Sequence, residues 1–158
     1  MFINLTLKNI NIEEPLQAKQ LPKSPIEKER FSYFFKDSLT NFSNENHLNI
    51  LLKQNLHQYK CLNLILLHNF SKYNEKYSWK KGNELLIEIA KLIRQNYKAK
   101  DIFRFHGPNF ILLNNEHVEL NLDILNKRLE EEVVRCELHH FDIDTFTSID
   151  LLEKYLNK

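Results

Sequence analysis

The segment Cys61 to Leu67 reads Cys-Leu-Asn-Leu-Ile-Leu-Leu, a nearly continuous apolar run. A run with no polar face fits a central strand covered on both sides better than a half-exposed edge. It is far too short to cross a bilayer. A strand of this kind needs helices on either side of its sheet, and the neighbouring segments have the right periodicity. On the N-terminal side, Ser43 is expected to cap a helix with the apolar stripe Leu48, Leu51, Leu52, Leu56 and Tyr59. On the C-terminal side, a helix is expected from Phe70 to about Tyr77. A loop follows, then a longer helix from about Asn83 to Tyr97 that turns Leu85, Leu86, Ile89, Leu92 and Ile93 inward.

Two further apolar runs, Ile102 to Phe105 and Phe110 to Leu113, are separated by His106, Gly107, Pro108 and Asn109. That is turn chemistry between two strands, and it predicts a β-hairpin. Leu122 to Glu131 reads as a helix, and Val133 to Ile143 contains a strand. Thr147 with Asp150 resembles a capping box that opens a last helix carrying Leu151, Leu152, Tyr155 and Leu156. Helices alternating with strands predict an α/β fold, an α+β sandwich with helices packed on one central sheet. At the N-terminus, Pro15, Pro22 and Pro25 make residues 1–36 an arm with a lead-in helix. Within it, Phe2 to Ile12 has the partial alternation of an edge strand, and Ile26 to Lys36 has Phe31, Phe34 and Phe35 at helical spacing.

The chain has 158 residues and a net charge of +1. Its lysines are interleaved with glutamates, so no basic block points to nucleic acid. Met1 to Ile12 lacks the basic start and apolar centre of a secretion signal, and a cytoplasmic protein without membrane insertion is expected. Cys61 and Cys136 form no disulfide or zinc pattern. His68 and His106 would approach one another if strand end and hairpin meet, and His139 and His140 follow Cys136 by three and four residues. Neither group has four ligands at an established spacing, so no metal site is assigned.

Gly82 and Gly107 are the only two glycines. In a chain so poor in glycine, a retained one marks a backbone conformation or a close approach that a side chain would block. The segments around both resemble the GGDEF domain of diguanylate cyclases, over about 37–158. Asp37 to Asn44 is similar to the entry motif DxLTGLxN, with Asn41 in place of glycine. Phe70, Asn74, Glu75, Gly82 and Leu86 resemble FKxxND followed by GHxxGDxxL, with Ser78, Trp79 and Asn83 replacing Gly, His and Asp. Arg104, Phe105, His106, Gly107, Pro108, Asn109 and Phe110 stand in the place of RxGGDEF. Tyr155 to Lys158 is weakly similar to a closing YxAK.

The resemblance implies a palm-like sheet flanked by helices, with a shortened C-terminal part. It also implies a reaction in which two facing protomers join two GTP molecules with the help of divalent metals held by carboxylates. At the matching positions this chain has Leu66 and Pro108, with His68 for a second Asp and Ser71 for a phosphate-facing Lys. Leucine has no ligating atom in its side chain, and proline offers only its carbonyl. The expectation is therefore a catalytically inactive module with no catalytic residue and no cofactor. Magnesium would enter only if the alternative, a divergent active cyclase making cyclic di-GMP, held. Asn74, Asn83, Arg104 and Lys158 are the candidate residues for GTP or cyclic di-GMP. Lys98 and Asp101 are a displaced, weakened version of the family's RxxD inhibitory site. A protein partner or self-association is expected. A further alternative is an adaptor acting through the N-terminal arm and Phe31, Phe34 and Phe35. The 36 residues ahead of the entry motif are too few for a sensor domain, so input is expected from another chain.

Overall fold

The computed structural model describes residues 24–54, 56–146 and 148–156. The expected edge strand Phe2 to Ile12, the cap at Thr147 and the candidate residue Lys158 lie outside the described residues. The lead-in helix α1 (Pro25–Phe35) starts from a complete capping box, in which the Ser24 and Glu27 side chains each accept from the other's backbone N–H. Helix α2 (Glu45–Gln54) begins one residue later than its sequence implies. Asn44, not Ser43, is its cap, because the Asn44 side chain accepts from the His47 N–H at 3.1 Å. Ser43 is held instead as an extended bridge to the hairpin, its N–H donating to Ile102 and its carbonyl accepting from Arg104.

Strand β1 (Cys61–His68) is followed by α3 (Phe70–Tyr77) and α4 (Trp79–Asn96). The hairpin β2 (Asp101–Phe105) and β3 (Asn109–Asn114) comes next. Then follow α5 (Asp123–Leu129), β4 (Arg135–Asp142) and α6 (Asp150–Leu156). The sheet has the order β2-β3-β1-β4, and each of its three pairings is antiparallel. Beyond the hairpin the described chain adds two seven-residue α-helices, one strand and a short 3-10 turn at Ile143–Thr145.

β1 is central and buried on both faces, as its apolar run requires. On one face Ile65 and Leu67 pack with Phe110 and Leu112 against Leu85, Ile89 and Ile93 of α4 and Leu125 and Leu129 of α5. On the other, Leu62, Leu64 and Leu66 pack with Ile111, Phe103 and Phe105 against Leu48 and Leu51 of α2 and Leu152 of α6. Helix α1 closes the α2 side. Phe35 is 1% exposed, and its ring and that of Phe31 lie against His47. This aromatic cluster is interior packing, so Phe35 is not part of an open docking surface.

Among the described residues four that are not glycine have positive φ: Asn41 (60°), Asn69 (62°), Ser78 (146°) and His106 (36°). Three of these, Asn41, Ser78 and His106, stand where the resembled motifs have glycine. Those loops adopt backbone conformations that glycine makes cheap, with a non-glycine residue in place. Ser78, with ψ 164°, lies in a region almost reserved for glycine. It turns the chain from α3 into α4 in a single residue, and its Oγ accepts from Lys81 N–H. This corner replaces the expected loop and lets α4 begin at Trp79.

Candidate functional site

The C-terminal end of β1, the first turn of α3, the β2–β3 turn and α6 surround a cleft of about 530 Å³. Leu66 and His68 come from the strand and Phe70 and Ser71 from the helix. His106, Pro108 and Asn109 come from the turn, and Glu153 and Tyr155 from α6. The structure thus brings together the strand and hairpin positions that the resemblance pairs. It does so through backbone geometry: Gly107 has φ +73°, and a Cβ there would meet nothing, so the demand at this glycine is conformational.

Asn109 ties the turn to the strand. Its buried Oδ1 accepts from Leu67 N–H at 3.0 Å, and its Nδ2 donates to the His106 carbonyl at 2.8 Å. An asparagine side chain here completes a backbone hydrogen bond past the last β1–β3 pair, Ile65 with Phe110. Phe110 itself is a core residue, 0% exposed. Arg104 also faces inward. Its Nε donates to the Gly107 carbonyl at 2.9 Å, Nη2 converges on the same oxygen, and Nη1 lies 3.4 Å from Asp37. Burial lowers its pKa, and Asp37 opposes that shift. Asp37 in turn holds the entry loop through Thr40 N–H at 2.8 Å and Thr40 Oγ1 at 2.7 Å.

Behind His68 the cleft has a carboxylate that the sequence reading did not single out. Glu137 Oε2 lies 2.5 Å from His68 Nε2, and Oε1 lies 2.7 Å from His139 Nε2. The hydrogen bond from His68, more than the charge of His139, holds Glu137 below its ordinary pKa. The His139 contact is an ion-pair approach without hydrogen-bond alignment, and its ring lies 4.2 Å from that of Tyr155. The strand register could have revealed Glu137: it sits directly across from Leu66.

The divalent metals implied by the resemblance do not fit the two positions assigned to their carboxylates. Leu66 is 3% exposed and packed in the core, and Pro108 offers only a carbonyl. Asn109 Oδ1 is taken by the strand, and Glu137 is held between two imidazoles. Glu153 faces the cleft, but from α6 rather than from the strand or turn.

The candidate base-reading residues sit at the α3–α4 corner, where Phe70, which also lines the cleft, comes within 3.3 Å of a Cβ built on Gly82. Asn74 Oδ1 is buried without a hydrogen-bond partner. It lies 1.8 Å from where a Cβ on Gly82 would be, so the absence of a Cβ at Gly82 is what leaves room for the Asn74 amide in this rotamer. Trp79, the first residue of α4, is 77% exposed, and Asn83, one turn on, is exposed as well. The displaced inhibitory pair is occupied within the chain: Lys98 Nζ lies 3.2 Å from Glu116, and Asp101 accepts from the Tyr59 hydroxyl at 2.6 Å.

The family model for the diguanylate cyclase GGDEF domain matches residues 34–150. The chain belongs to this family. No curated protein sequence matches it. Among solved structures, the S helix-GGDEF-EAL portion of Vibrio cholerae LapD bound to c-di-GMP superimposes with a TM-score of 0.61 at 14% identity, over 82% of this chain and 34% of that one. The coiled coil and GGDEF domain of DgcB from Caulobacter crescentus, in complex with c-di-GMP, has a TM-score of 0.53 at 15% identity, covering 73% of this chain and 72% of that one. Diguanylate cyclase SiaD of Pseudomonas aeruginosa, in complex with its activator SiaC, has a TM-score of 0.53 at 17% identity, covering 99% of this chain and 58% of that one. At these identities the likeness is one of fold. This GGDEF domain spans about a third of the LapD chain. Among the described residues no helix is long and apolar enough to cross a membrane.

Proposed function

We propose that this GGDEF domain is a non-catalytic signalling module that acts by protein interaction and by binding a guanine nucleotide, GTP or cyclic di-GMP. The observation that carries the reading is the contrast between Leu66 with Pro108 and Asn74 with Gly82. The first pair leaves the metal positions without side-chain ligands. The second keeps a buried amide oxygen with no partner at the position that the resemblance assigns to guanine recognition. A buried, unpaired amide oxygen is costly by about 1–3 kcal/mol, and a ligand donor at that corner would offset the cost. Arg104 is committed to the turn and to Asp37, so nucleotide contact rests on Asn74 and Asn83, with Lys158 outside the described residues. Protein interaction as a mode of action is in keeping with SiaD, whose structure contains an activator protein.

Titration calorimetry of the purified chain with GTP and with cyclic di-GMP, each in the presence of a chelator, tests the nucleotide half. Binding of either that is unchanged by magnesium supports the reading. Strict magnesium dependence contradicts it, and binding of neither removes the nucleotide from it.

A further inference from the structure

We propose that His117, His140 and Asp142 form a binding site for a transition-metal dication of the zinc class, at the end of the sheet opposite the cleft. Asp142 Oδ1 lies 3.2 Å from His117 Nδ1 and 3.8 Å from His140 Nε2, and the three ligand atoms all lie within 4.8 Å of one another. Two imidazole nitrogens and one carboxylate oxygen leave a fourth position for water, the donor set of an open tetrahedral site.

The feature that sets this cluster apart from ordinary ion pairs is Asn63, a 0% exposed amide in the middle of the apolar strand β1. Burying an amide there is unfavourable unless its hydrogen bonds are met. Its Nδ2 donates to the Val118 carbonyl at 3.4 Å, and its Oδ1 lies 2.8 Å from His140 Nδ1. A carbonyl only accepts, so the amide nitrogen must face Val118 and the oxygen must face His140. In its neutral form His140 therefore carries its proton on Nδ1, which leaves the Nε2 lone pair directed toward Asp142 and His117. A histidine ligand oriented through its second nitrogen is the usual support for a metal-binding imidazole. The same amide anchors the loop that delivers His117, because Val118 follows it directly, and Cys61 Sγ adds a contact to the Glu116 carbonyl at 3.3 Å.

The site is independent of the proposed nucleotide binding. Its test is calorimetric titration of the chelator-stripped full chain with zinc chloride, with the visible spectrum of the cobalt(II) form as a second readout. One ion per chain is expected, with a tetrahedral cobalt spectrum. His117→Ala and Asp142→Asn should each weaken binding at least about tenfold, and His68→Ala, in the cleft, should leave it unchanged. The side chains of His117 and Asp142 are 67% and 54% exposed and that of His68 is 35% exposed, so their variants retain the core, whereas His140→Ala also removes the partner of Asn63 Oδ1 and is read together with His117→Ala. Absence of zinc binding, binding that survives His117→Ala and His140→Ala, or loss with His68→Ala instead would each overturn the proposal.

Discussion

The α3–α4 corner and the open end of β1 both carry residues of the resembled motifs, yet they differ from those motifs in opposite ways. At the corner, Gly82 is retained and Asn74 fills the space beside it, so the side chain and the backbone that accommodates it survive together. At the strand end the backbone survives, with His106 and Gly107 both at positive φ, while the side chains have become Leu66, Pro108 and Asn109. Loop geometry and chemistry are thus separable. A turn is held by local sterics and by hydrogen bonds such as Leu67 N–H to Asn109, which need no catalytic group. Metal affinity is held by a few oxygens, and the proposed function rests on its loss when those are replaced.

The sharpest way to break this contrast is to return a carboxylate to the strand end. Leu66→Asp places a charge where 3% of the side chain is exposed, and it should cost at least about 3 kcal/mol in chemical denaturation. A neutral effect would mean that the strand end is more open than its packing implies. Asn109→Ala leaves the Leu67 N–H without its acceptor, and a loss of about 1–3 kcal/mol is expected by the same measurement. A negligible loss would show that the turn does not depend on this bond.

The two regions also differed in how much could be read from sequence. β1 and α3 are legible almost to the residue, β1 because a continuous apolar run of its length has few other solutions. Both glycines were legible as special positions, although only the structure separates close approach at Gly82 from positive φ at Gly107. The start of α4 was not, since nothing in Ser78 announces a glycine-like corner. Adjacency in sequence groups His139 with His140, but strand alternation sends them to opposite faces, one to Glu137 and Tyr155 and the other to Asn63. The His68–Glu137 pair and the His117, His140, Asp142 group both depend on strand register, which joins residues far apart in the chain.

Smaller substitutions sharpen the corner side of the comparison. Gly82→Ala should displace Asn74, whose Oδ1 lies 1.8 Å from the new methyl position. The flexible amide end can swing aside, and alanine favours the helix by about 1 kcal/mol, so stability should change little. Any guanine-nucleotide affinity measured for the parent should fall by about tenfold or more, and full retention would detach Asn74 from recognition. Ser78→Gly should relieve the strained corner at the expense of a weak cap, for a net gain of about 1 kcal/mol in thermal or denaturant unfolding. A loss would show that the Ser78 hydroxyl matters more than the conformation.

The most direct test of an intact scaffold with an emptied catalytic end is incubation of the purified chain with GTP and magnesium or manganese, followed by chromatography of the nucleotides. Unchanged GTP and no cyclic di-GMP are the predicted result. Steady accumulation of cyclic di-GMP over repeated turnovers would contradict it.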